Sequence, residues 1–68
     1  MSKYEPLWEY LLANNKDYYV LSYEDIRNIL GFDIDHSFLT YKKELITFGY
    51  QVEKISMNER TVKIKRIN

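Results

Sequence analysis

The chain has no cysteine and only one histidine, one proline and two glycines among its 68 residues. Without cysteine there is neither a disulfide framework nor a thiolate metal site. His36 has no cysteine to activate, and the adjacent Ser37 lacks a placed acid, so no catalytic triad can be assembled. Gly31 and Gly49 stand far apart, which excludes a glycine-rich loop that cradles phosphate. Asp33 and Asp35 alternate as metal ligands can, but the glycine and later glutamate of a calcium loop do not follow. The chain therefore reads as a non-enzyme, with no metal and no cofactor. No apolar run is long enough to cross a bilayer and no signal peptide is evident, so the expectation is a soluble cytoplasmic protein with no membrane partner.

Net charge is also lacking: ten basic residues balance ten acidic ones. Their distribution is uneven. Residues 1–35 hold seven acids against three bases, and residues 36–68 hold seven bases against three acids, so the halves stand at −4 and +4. Such asymmetry reads either as a basic face or as a simple dipole.

What is present is aromatic surface, at 16% of residues with seven tyrosines. A chain this short is one domain, residues 1–68, and needs a dense core to offset its conformational entropy. The aromatic residues are read mainly as that core rather than as a stacking platform for bases. Abundant Asn, Lys, Ile and Tyr suit an AT-rich coding sequence, as in a Gram-positive bacterium or its mobile elements.

Local signals predict the elements. Pro6 favours a helix start, and Tyr4, Leu7, Trp8 and Leu11 form one apolar stripe, widened by Tyr10 and Leu12. Asn14 to Asp17 ends that helix. Tyr18–Leu21 reads as a short strand. Ser22 with Asp25 forms a capping box for a helix over Tyr23–Leu30, which buries Ile26, Ile29 and Leu30 and stops at Gly31, with Phe32 folding back on its last turn. Asp35 then caps a helix running to Gly49, with Ile34 and Leu39 as a hydrophobic staple. Phe38, Tyr41, Leu45 and Phe48, with Ile46 beside them, dock that helix, leaving His36, Ser37, Thr40, Lys43, Glu44 and Thr47 on its other side. From Tyr50 the period changes to two, and the step from Val52 to Ile55 marks a bulge. Ser56–Arg60 makes a loop with Asn58 suited to a positive φ, and Val62 and Ile64 alternate with Thr61, Lys63 and Lys65. The predicted fold is α+β, a small winged helix-turn-helix of order α-β-α-α-β-β with a C-terminal hairpin.

The stretch Tyr4, Leu7, Tyr10, Leu11 followed by Leu21, Ser22, Tyr23, Ile26, Ile29, Leu30 and Gly31 resembles small uncharacterised bacterial and phage proteins grouped as a domain of unknown function. Their openings run Tyr-x-x-Leu-x-x-Tyr-Leu and then Leu-Ser-Phe/Tyr-x-x-Ile-x-x-Ile-Leu-Gly. The match covers roughly half of the chain. Of the Leu-Pro-x-Ser-Ala segment that follows in the family only Ser37 corresponds, and the tryptophan-rich insertion is absent. The resemblance implies a fold and a mobile-element origin, and no activity.

The leading functional expectation is double-stranded DNA binding. The second helix of the pair would present His36, Ser37, Thr40 and Lys43 to the major groove, and the hairpin would set Arg60, Lys63 and Lys65 on phosphates. Asp33, Asp35 and Glu44 oppose it, since carboxylates there repel phosphate. The alternative is a protein-interaction module that uses its acidic N-terminal half as the contact surface. Homodimerisation through a hairpin edge is a further expectation.

Overall fold

The structure, a computed structural model, describes residues 2–67. Helix α1 spans Glu5–Asn14 with Pro6 in its first turn, and it buries Leu7, Trp8 and Leu11. Tyr4 completes this stripe with no exposed surface. Tyr10 and Leu12 do not widen it. They are 37% and 44% exposed, because each lies about a hundred degrees round the helix from the centre of the buried stripe. Asn15, in the left-handed region at φ 52, closes the helix by donating its N–H to the Leu11 carbonyl at 3.0 Å.

Strand β1 (Tyr18–Ser22) leads directly into helix α2 (Tyr23–Leu30). The capping box is complete: the Asp25 N–H donates to Ser22 Oγ at 3.0 Å, and the Ser22 N–H donates to Asp25 Oδ2 at 3.3 Å. Gly31 ends α2 at φ 85, a conformation that a Cβ would oppose. Ile26 is fully buried, while Ile29, Leu30 and Phe32 pack at the margin of the core.

The expected long helix from Asp35 to Gly49 is a composite. Helix α3 covers only Ser37–Tyr41, and Lys42–Phe48 continues as a 3-10 helix to Gly49 at φ 88. Ile46, Thr47 and Phe48 are weak α-formers. Thr47 Oγ1 also donates to the Glu44 carbonyl at 2.7 Å, competing with the regular helical bond. Asp35 does cap the start, accepting the Ser37 N–H at 2.8 Å. Leu39, expected to staple against Ile34, is 50% exposed, and the two line one hollow.

Strands β2 (Tyr50–Ser56) and β3 (Thr61–Arg66) form a hairpin, and the antiparallel sheet has the order β1-β3-β2. The register shifts between Val52 and Lys54, so the bulge lies at Glu53. The positive φ of the loop falls on Arg60 (φ 56) rather than Asn58, because that turn aims the Arg60 carbonyl at the Tyr23 N–H, 2.8 Å away.

Tyr19, Leu21, Tyr50, Val62 and Ile64 form the sheet side of the core, against Tyr4, Trp8, Leu11, Ile26, Phe38 and Leu45 from the helical side. The tyrosines add polar anchors. Tyr19 donates its hydroxyl to the Leu11 carbonyl at 2.6 Å, and Tyr50 donates to the Lys16 carbonyl at 2.8 Å, satisfying the open end of α1. Burial and the adjacent Tyr19 hydroxyl push the Tyr50 phenol above its usual range. Among the described residues, no helix is long and apolar enough to cross a membrane.

Candidate interaction surface

The candidate site residues fall on three separate regions. His36, Thr40 and Lys43 are exposed on one side of α3 and the first turn of the 3-10 segment, at helical spacing. Ser37 is not free beside them: its hydroxyl donates to Asp35 Oδ1 at 2.6 Å and lies 2.7 Å from the Tyr4 hydroxyl. Arg60 sits in the hairpin loop against the start of α2. Lys63 and Lys65 alternate with the fully buried Val62 and Ile64. They therefore lie on the sheet face turned away from the helices, where they pair across strands with Val20 and Tyr18. Lys54, opposite Lys63, joins them. The α3 side chains and the sheet lysines do not share one surface.

The acids counted against DNA are largely engaged. Glu44 is not on the outer side of its helix but turned inward, where Oε1 accepts from Ser2 Oγ at 2.5 Å and from the Trp8 indole N–H at 3.1 Å. The Ser2 hydroxyl first, and the indole second, hold its carboxyl below the usual glutamate range. Asp35 lies well below the usual aspartate range because it accepts the Ser37 hydroxyl and amide, with Lys3 3.3 Å away. Asp33 approaches Arg27 at 3.7 Å. These surface pairs are weak in energy, but they leave little unbalanced charge beside α3.

Two hollows flank the hairpin loop and share Tyr23. One, of about 440 Å³, is lined by Tyr23, Ile34, Phe38, Leu39, Ile55 and Met57, with Asp35 and His36 at its margin. The other, of about 450 Å³, is polar and holds Glu24, Arg27, Asp33, Glu59 and Arg60. Across both, four carboxylates face two guanidinium groups. Leu39 and Met57, 50% and 83% exposed, form the open lip of the apolar hollow. The sequence signal for this site is slight: an unbranched apolar residue in a polar loop, and one leucine out of phase with the docked stripe. Among the described residues, no three His, Asp or Glu side chains converge as a metal site would need.

No family model, curated protein or solved structure matches the chain.

Proposed function

We propose that this chain is a winged helix-turn-helix domain used as a non-enzymatic protein-interaction module. The fold reading is supported by the element order, by the turn from Gly31 to His36 between α2 and α3, and by the β1-β3-β2 sheet. The observation that carries the function is the hollow between the start of α3 and the hairpin loop. A DNA-reading winged helix needs cations there; this one has Leu39, Ile34, Ile55 and Met57, bordered by more acids than bases. A contiguous exposed apolar surface with a polar rim is the anatomy of a protein contact. The partner it fits is an apolar segment with flanking Lys or Arg. This moves the contact from the acidic N-terminal half as a whole to its junction with the hairpin.

DNA binding stands as the second reading, favoured by the inward turn of Glu44, which leaves Lys42 and Lys43 unopposed on their own segment. One pair of experiments separates the two. A photo-cross-linker at position 39 or 57, expressed in the native host, should capture a discrete protein that the same group at position 65 does not. Titration of a labelled mixed-sequence duplex should show no salt-sensitive binding. Steeply salt-dependent binding that is lost in Lys42→Glu with Lys43→Glu would overturn the protein reading in favour of DNA.

A further inference from the structure

The two edges of the sheet are built differently. Along β2 the bulge at Glu53 interrupts the ladder, Glu53 and Lys54 place charges beside it, and the 3-10 segment packs against the strand. Those are the usual protections of an edge. β1, Tyr-Tyr-Val-Leu-Ser, has no charge, no proline and no bulge. Its backbone packs on β3 and on α2, which follows it in the chain, and on the core side Tyr19 reaches the Leu11 carbonyl of α1.

Hydrogen-bond alternation tells which of its backbone groups are open. The Arg66 N–H donates to the Asp17 carbonyl and the Tyr23 N–H donates to the Arg60 carbonyl, both at 2.8 Å. The odd-numbered residues of β1 therefore bond to β3, and Tyr18 and Val20 turn their N–H and C=O groups to the free edge. Their side chains, 46% and 52% exposed, stand on the outer face beside Lys65 and Lys63.

We propose that β1 is a self-pairing edge. A second copy of this chain lays its own β1 antiparallel alongside, about a two-fold axis at Tyr19, and the two sheets join into one of six strands. In this register Tyr18 of each copy faces Val20 of the other, and the two pairs exchange four N–H···O=C bonds. Neighbouring registers are less satisfied. One centred on Val20 needs the Ser22 N–H, which the capping box already uses. One centred on Tyr18 needs the Lys16 N–H, which donates to the Tyr19 hydroxyl at 3.1 Å. Shifts by one residue present groups already bonded to β3. The chosen register also brings the exposed Lys16 opposite Ser22 of the second copy, at the acidic first turn of its α2 with Glu24 and Asp25. Cation meets acidic helix start at both ends of the junction, which is the complementarity an isologous contact requires. On the outer face Tyr18 lies beside Val20 of the second copy, covering the apolar part of a surface otherwise lined by lysine.

Sedimentation velocity across a wide concentration range, combined with amide hydrogen exchange, tests this on the full chain. The expected result is a concentration-dependent rise from the 8.3 kDa chain mass to twice that value, with the Tyr18 and Val20 amides becoming protected as the dimer forms. Val20→Pro removes an N–H that faces only the free edge, leaves the β1–β3 ladder intact, and should weaken dimerisation at least about tenfold. Should that variant fail to fold, Lys16→Glu keeps every backbone group and should also weaken the dimer, with Glu24→Lys added to it restoring affinity. A monomer at every concentration overturns the proposal. So does a dimer in which the Tyr18 and Val20 amides still exchange freely.

Discussion

α2 and the composite α3 are neighbours of similar apparent role, yet they are held in opposite ways. α2 is closed mainly by neighbours in sequence, Ser22 and Asp25 at the start and Gly31 at the end, with the Arg60 carbonyl taking the Tyr23 N–H. α3 and its 3-10 continuation have a local cap at Asp35 and a stop at Gly49, but their side chains are held by residues 2–8. Ser2 and Trp8 hold Glu44, Tyr4 meets Ser37, and Lys3 pairs with Asp35. The Tyr4 and Trp8 rings lie 5.4 and 6.1 Å from that of Phe38, within aromatic contact. The difference teaches that α2 is largely a local unit, whereas the shape of the α3 surface, and of the hollow it borders, is written by α1 and the three residues before it.

The comparison can be broken most forcefully at Trp8. Trp8→Ala removes a ring that is only 1% exposed, and should cost about 3–5 kcal/mol, a large share of a small domain's stability. Native-state hydrogen exchange on the milder Trp8→Phe should show protection lost first over residues 37–48 while α2 keeps its own. Uniform loss over both would mean that α2 is no more autonomous than α3. Gly31→Ala acts on the other side. Nothing lies within 4 Å of the added Cβ, so the cost is conformational alone, about 1–2 kcal/mol, read as a shift in urea midpoint. Ser22→Ala should cost about 1 kcal/mol and loosen the first turn of α2 without touching the amides of α3.

The smallest effect is fully present at neutral pH and shows itself as a loss in acid. Glu44 and Asp35 have folded-state values below their ordinary 4.5 and 3.8. Their contribution is therefore present above the ordinary carboxylate range and is lost as the pH falls below it, through the lowered values. The melting temperature of the wild type should drop in that acid window, and Glu44→Gln with Asp35→Asn should flatten the drop. An unchanged acid profile in the double variant would show that these carboxylates do not support α3.

The same division governs what could be read from the residues. Helix α2, its capping box and its glycine stop are signals within ten positions of one another, and the structure has them where they were expected. The bulge is legible too, since apolar residues at 52 and 55 cannot share one face of a regular strand. The 3-10 stretch is not, because an apolar spacing of three, as from Leu45 to Phe48, is common to both kinds of helix. The inward turn of Glu44 depends on groups 36 and 42 positions away, and a carboxylate on a helix reads as solvated until its partners are known. Residue type favours Asn58 for the positive φ of the loop, whereas the reach to the Tyr23 amide places it at Arg60. Of the candidate site, His36, Thr40 and Lys43 do share a side, but the lysines of β3 are divided from them by the thickness of the sheet, a separation that strand parity states and linear order conceals.

Trp8 is the sole tryptophan of the chain, and its indole N–H ends on Glu44 at the seam between α1 and the 3-10 segment. The fluorophore thus sits at the joint on which the whole α3 surface depends. Opening of that joint exposes a buried indole to water and breaks its bond to a carboxylate, so its emission should move to the red before the molecule as a whole unfolds. The unlabelled protein carries its own optical gauge of whether its α3 surface is assembled.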